Sequence, residues 1–66
     1  MRYENHVKEY REKRGYTVRE LSKLTGISVG HLSDIENGVK IPSVILAYRL
    51  EKVLKCSIWD LFRIKD

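Results

Sequence analysis

The side chains that could do chemistry in this sequence are few, and their types favour contact with an anion over catalysis. Cys56 is the only cysteine, and His6 and His31 are the only histidines. No Cys/His pair has the spacing of a zinc site, and no Ser, His or Cys combination has catalytic spacing. Thirteen Lys and Arg outnumber nine Asp and Glu, so the formal net charge is +4. We therefore expect no enzyme activity, metal or cofactor, and a surface suited to a polyanion.

Length and cysteine content predict one small domain, residues 1–66, in a reducing compartment. A single cysteine cannot form an internal disulfide, so Cys56 is expected to be a small core residue, with a redox switch as the alternative. The longest apolar run, Val44 to Tyr48, is far shorter than the roughly 20 residues of a membrane span. We expect a cytoplasmic protein with no membrane partner. The basic excess lies in residues 1–26, where seven Lys and Arg accompany four Asp and Glu.

The first half of the sequence carries two helix signals and no strand-length alternation of apolar and polar residues. A first helix is predicted from about Asn5 to Arg14, and Gly15 ends it. Thr17 and Glu20 have the spacing of a capping box, which predicts the start of a second helix. Gly26 closes this helix, and Leu21 and Leu24 are predicted to point inward.

Three further helices are predicted in the second half. Ser28, Ser43 and Ser57 stand where each of them would be capped, and Pro42 favours an extended approach to the second. The predicted inward residues of these helices are Leu32, Ile35, Val44, Ala47, Leu50, Leu54, Leu61 and Phe62. Five short helices on short connections predict an all-α, orthogonal five-helix bundle.

The segment Thr17–Gly38 is the most informative part of the sequence. Two helices meet there across a turn too tight for a lengthwise hairpin, and Gly26 tolerates the positive φ that such a turn requires. Ser22 is small enough to let the two helices approach each other. This arrangement predicts a helix-turn-helix, in which the second helix enters the major groove of DNA with its N-terminus first.

The segment resembles the Cro/repressor (XRE-type) helix-turn-helix family, and the resemblance extends over nearly the whole chain. The matching motifs are Gly15-Tyr16-Thr17, Leu21-Ser22, Gly26-Ile27-Ser28, Ile35-Glu36-Asn37-Gly38, Pro42-Ser43 and Leu61-Phe62. The resemblance implies a lambda-repressor-like DNA-binding domain that recognises double-stranded DNA and regulates transcription.

The same resemblance implies roles for individual residues. The base-reading face of the third helix would consist of Ser28, Val29, Gly30, Ser33 and Asp34, with His31 as a further candidate. Phosphate contacts would come from Thr17, Val18, Arg19, Asn37 and Lys40. Among these contacts, the main-chain amides of Thr17 and Asn37 are expected to contribute. Arg11 and Glu36 would form a structural ion pair between the first and third helices.

Several of these positions depart from the family pattern or have a simpler interpretation. Val29 can contact a thymine methyl but cannot hydrogen-bond a base, and Gly30 has no side chain to read one. His31, Asp34 and Arg19 could instead be solvated surface residues. A poor direct base code leaves a larger role for DNA shape and His31, or else low specificity. It also keeps open a protein-interaction module of the same fold.

An apolar surplus on and after the fourth helix predicts an interface. Its members are Ile45, Leu46, Tyr48, Ile58, Trp59 and Ile64. A C2 contact through this patch would make the protein a homodimeric repressor on a two-fold operator with half-sites about one helical turn apart. The alternatives are that Tyr48 and Trp59 only cover the edge of the core, or that the chain is the DNA-binding fragment of a larger regulator. No small-molecule ligand is indicated.

Overall fold

The computed structural model describes residues 2–65, whose chain ends pair as a small hairpin beside a helical bundle. The elements in chain order are β1 (Arg2–Asn5), α1 (Val7–Lys13), α2 (Val18–Thr25), α3 (Val29–Glu36), α4 (Val44–Leu54), α5 (Ile58–Leu61) and β2 (Phe62–Lys65). The five helices confirm the predicted helical bundle.

Local capping explains where four of the helices begin. The hydroxyl groups of Thr17, Ser28, Ser43 and Ser57 each accept a hydrogen bond from a main-chain amide three residues later. These bonds satisfy amides that a helix N-terminus leaves without an intrahelical partner. The predicted caps are therefore confirmed. Helix α1 is the exception, because it begins at Val7, two residues later than predicted.

The core lies where α2, α3 and α4 meet, and α1 and α5 close its ends. Its buried apolar side chains are Val7, Leu21, Ile27, Leu32, Ile35, Leu50, Leu54 and Leu61. Cys56 is half-buried and packs against this core, and desolvation raises the pKa of its thiol. The structure thus places this cysteine at the edge of the core rather than within it.

Two residues predicted to point inward are exposed instead. Leu24 is 54% exposed, because the buried face of α2 runs through Leu21 and Thr25. Val44 is 86% exposed, because it is the first residue of α4 and the buried stripe of that helix starts only at Ala47. Both predictions were wrong because hydrophobic spacing identifies a stripe without fixing its end or its phase.

The hairpin contradicts the prediction of a chain without strands. Strands β1 and β2 pair antiparallel, with Asn5 opposite Phe62 and Tyr3 opposite Ile64. Phe62, predicted as helical, therefore begins a strand. Each strand has only four residues, too few for alternation to be read from the sequence. The pairing joins the two ends of the described chain, and this non-local contact leaves no local sequence signal.

Candidate nucleic-acid interface

The turn between α2 and α3 is fixed by a buried threonine. The Thr25 hydroxyl donates to the main-chain oxygen of Leu21 at 2.7 Å and accepts from the amide of Ile27 at 3.2 Å. Gly26 has φ of 77°, and its amide donates to the oxygen of Ser22 at 2.8 Å. A left-handed glycine is the usual end of a helix. The turn therefore sets the angle between the two helices without relying on side-chain packing alone.

The N-terminal half of α3 is open to solvent. The Ser28 hydroxyl accepts from the amide of His31 at 3.1 Å, which caps the helix. A Cβ at Gly30 would meet no atom within 4 Å, so another molecule can approach the backbone closely there. Among the residues with an implied base-reading role, Ser28, Val29, Gly30 and Ser33 are exposed, and His31 and Asp34 are half-buried.

The N-terminus of α2 offers amides to an anion, although not the one expected. The Thr17 amide donates to the Glu20 carboxylate at 2.8 Å, and the Glu20 amide donates to the Thr17 hydroxyl at 3.1 Å. The hydrogen bond from the Thr17 amide lowers the pKa of Glu20. Thr17 therefore has no spare amide. The amides of Val18 and Arg19, in the first turn, are the ones directed out of the helix.

The expectation that the Asn37 amide is free for phosphate was also wrong, because it donates to the main-chain oxygen of Ser33 at 2.9 Å. Lys40, in the same loop, lies beside α3, with its Nζ 3.6 Å from Oδ2 of Asp34. Both side chains remain largely exposed, and such pairs contribute only about 0–1 kcal/mol. Lys40 can therefore leave this carboxylate for a phosphate at little energetic cost.

A buried ion pair holds the C-terminal end of α3. Nε of Arg11 donates to Glu36 at 2.8 Å, and Nη2 donates to the other carboxylate oxygen at 3.2 Å. The two side chains are only 9% and 7% exposed. Nη1 of Arg11 donates to the main-chain oxygen of Tyr16 at 2.9 Å. Hydrogen bonding to Glu36 raises the pKa of Arg11 above its ordinary value, so the guanidinium stays charged.

Asn5 is a second anchor of the same helix end, and sequence reasoning treated it only as a cap. Its Oδ1 accepts from the amide of Val7 at 3.0 Å, which is the capping contact. Its Nδ2 donates to the main-chain oxygen of Ile35, 30 residues away. Asparagine before a helix signals a cap, but no sequence pattern shows where its amide group will bind. One side chain thus joins the hairpin, α1 and the end of α3.

Replacing Asn5 with aspartate should separate the two functions of this side chain. Asn5→Asp keeps the acceptor for Val7 but removes the donor to Ile35 and places a carboxylate beside a carbonyl oxygen. We expect the free energy of unfolding to fall by about 1–3 kcal/mol, the usual consequence of leaving such a group unpaired. Urea unfolding followed by circular dichroism measures this change. Asn5→Ser, which keeps a capping oxygen without a charge, is the control; an aspartate variant as stable as wild type would contradict the assignment.

The residues predicted to form an interface do not share one environment. Ile45, Tyr48, Trp59 and Ile64 are exposed, and Ile58 is half-buried. Leu46 packs against the core, because its position on α4 faces away from the exposed side of the helix. Leu46 therefore belongs to the fold, and its replacement would test stability before it tested association.

The described residues show nothing that points to another chemistry. No three His, Cys, Asp or Glu side chains among residues 2–65 are grouped so that they could hold a metal ion. None of the helices in this part of the chain has both the length and the apolar composition needed to cross a membrane. The fold and the exposed α3 define a helix-turn-helix domain of the DNA-binding class.

Comparison with known proteins gives the family. The helix-turn-helix family profile matches residues 7–59, which is most of the chain. The chain therefore belongs to the helix-turn-helix family of the Cro/repressor (XRE) type, whose members are DNA-binding transcription regulators without enzymatic activity. The resemblance seen in the sequence is thereby confirmed.

Three relatives illustrate the similarity. The HTH-type transcriptional regulator SinR of Bacillus licheniformis is 33% identical over 61 residues, covering 91% of this chain and 55% of SinR. An uncharacterized HTH-type transcriptional regulator of Archaeoglobus fulgidus is 37% identical over 60 residues, covering 91% of this chain and 86% of that protein. The regulator YgzD of Bacillus subtilis is 31% identical over 62 residues, covering 94% of each. The chain thus spans about half of SinR but nearly all of YgzD.

Proposed function

We propose that this protein is a transcriptional repressor that binds a two-fold DNA operator as a homodimer, inside the cell. The observation that carries the proposal is the exposed N-terminal half of α3, with Arg19 on one side and Lys40 on the other. A bound dimer would repress by occupying the promoter, which requires no further contact with the transcription machinery. The names of the relatives, all HTH-type transcriptional regulators, support this role.

In this proposal the base edges are read by a small set of contacts. Val29 would contact a thymine methyl, Ser33 would hydrogen-bond a base, and Asp34 would accept from a cytosine amino group. The open backbone at Gly30 lets α3 sit deep in the major groove. Since few side chains of this face can hydrogen-bond a base, sequence-dependent DNA shape should supply part of the specificity.

The phosphate contacts should come from two places that flank α3. The amides of Val18 and Arg19 and the Arg19 guanidinium form one, and Lys40 forms the other. Thr17 and Asn37 border these places, and only their side chains remain available for phosphate. Selecting binding sites from random duplex DNA tests the proposal directly, and recovery of no enriched sequence would overturn it.

Removing one of the two proposed phosphate cations should weaken binding to all DNA sequences alike. Arg19→Ala or Lys40→Ala should each reduce the slope of log affinity against log salt by about 0.9, because one fewer counterion is released. Titration of a labelled duplex at several salt concentrations, followed by fluorescence anisotropy, measures this slope.

Lys8→Ala is the matched control for this experiment. Lys8 is exposed on α1, a helix that supplies no proposed phosphate contact, and its replacement removes the same charge. Its slope should equal that of wild type. Equal effects of all three substitutions would show that net charge, rather than these two contacts, governs binding. Wild-type binding that did not change with salt would favour a protein-interaction module of the same fold.

A further inference from the structure

An apolar groove lies between the hairpin, the loop that precedes α4, and α5. It encloses about 210 Å³. The residues that line it are Tyr3, Ile41, Pro42, Ile58, Trp59, Phe62 and Ile64. Because two of its walls belong to the hairpin, the groove could not be predicted from a sequence interpretation that contained no strands.

The groove is edged by large apolar side chains that point into solvent. Ile41 is 72% exposed, Trp59 is 68% exposed, and Ile64 is 53% exposed. Val44 lies three residues beyond Ile41 at the start of α4 and extends the apolar surface. A single exposed apolar residue needs no explanation, but a cluster around a concave apolar surface indicates a contact with another molecule.

The dimensions of the groove argue against a small-molecule ligand. Pockets for such ligands usually enclose about 300–1,000 Å³ and contain a few polar groups that orient the ligand. This groove is smaller, and none of the residues that line it is charged. Apolar side chains from a protein surface match it better, since they need no polar partner.

The charge of the molecule favours a second copy as that protein. Two chains that each carry a net charge of +4 repel one another, so they should meet where like charges are absent. At the outer edge of the hairpin, Nζ of Lys65 lies 2.8 Å from Glu4, so these charges already compensate each other. The surface also combines a hollow with protruding side chains, as an isologous contact requires.

We propose that this groove is the homodimer interface, where Trp59 and Ile41 of each copy pack against the groove of the other about a two-fold axis. The inference rests on the proposed homodimeric function and names its surface. A standard interface covers about 800 Å² per partner, roughly one-sixth of the 4640 Å² accessible surface of this chain. Ile41 directly follows Lys40, so pairing here places the two phosphate-binding loops beside the two-fold axis.

Trp59 is the only tryptophan, so its fluorescence reports on the groove itself. As the wild-type concentration rises, its emission should shift to shorter wavelength while sedimentation shows the mass doubling. Ile41→Glu and Ile64→Glu each place a charge at the edge of the groove and leave Trp59 intact. Each should weaken self-association by about 30-fold or more, the factor that a hot-spot loss of about 2 kcal/mol produces.

Leu24→Glu is the matched control, because Leu24 is as exposed as Ile64 but lies on α2. This variant should dimerise like wild type, and circular dichroism should show all three variants folded. A wild-type chain that stays monomeric at high concentration would overturn the inference. A dimer that survives both groove substitutions would also overturn it, while leaving a homodimeric repressor with another interface. Duplex binding by the monomeric variants tests the DNA-binding proposal separately.

Discussion

Replacing either Arg11 or Glu36 with alanine should lower the free energy of unfolding by about 3–5 kcal/mol, the usual effect of leaving one charge of a buried pair without its partner. The two side chains are 9% and 7% exposed, so water cannot solvate the charge that remains. A core of this size rarely supplies more than about 3–5 kcal/mol in total. Either variant should therefore be largely unfolded at 25 °C. Thermal and urea melts followed by circular dichroism measure the loss.

The two single substitutions should differ in severity. Arg11→Ala leaves the Glu36 carboxylate and the Tyr16 oxygen without their donor, whereas Glu36→Ala leaves Arg11 still bound to Tyr16. Arg11→Ala should thus be the more damaging change.

A double variant distinguishes the ion pair from two independent contributions. Arg11→Met combined with Glu36→Leu removes both charges and fills their space with apolar groups, a replacement that is often neutral or stabilising. It should be more stable than either alanine variant. Losses that simply added across the double-mutant cycle would mean that the two residues do not interact.

The helix-turn-helix was predictable because its signals are local. Thr17 with Glu20, and Ser28 at the start of α3, mark helix starts within three residues of chain, and the structure confirms both. Gly26 marks the turn by its conformational freedom. A cap and a turn involve neighbours in sequence, so residue type and spacing are enough to identify them.

Contacts between distant segments were not predictable in this way. The pairing of β1 with β2 joins residues about 60 positions apart, and the bond from Asn5 to Ile35 spans 30. Thr25 shows a further limit, because a polar residue occupies the inward position that hydrophobic spacing assigned to Leu24. Its hydroxyl has both a donor and an acceptor partner inside the protein, which allows it to be buried.

For the candidate interface, the sequence and its resemblance named the residues but not their partners. Arg11 and Glu36 were named together from the resemblance, whereas the contact between Asp34 and Lys40 depends on the course of the loop after α3. The amides of Thr17 and Asn37 show the same limit, since only the folded backbone reveals that both have internal acceptors. Helix position thus indicates which face meets DNA, and the loops decide which groups on it are available.

On an operator obtained by selection, inserting five base pairs between the half-sites should weaken binding by about 10²–10⁴-fold, the advantage of joining two binding units. The inserted half-turn moves the second half-site to the opposite side of the duplex. The molecule measures 34 × 21 × 19 Å, so two copies in contact can place their α3 helices about 34–36 Å apart, the distance of one turn. Quantitative gel-shift titrations of the matched duplexes measure the loss.

A ten-base-pair insertion tests whether the connection between the two copies is rigid. It restores the second half-site to the same side of the duplex but moves it about 34 Å further away. Contact through the groove has no slack to span that distance, so binding should stay weak, whereas a flexible connection would recover it. Ile41→Glu, as a monomer, should bind the original and both altered duplexes with one common low affinity. Wild-type affinity that did not change with spacing would rule out paired binding, because each α3 would then be acting alone.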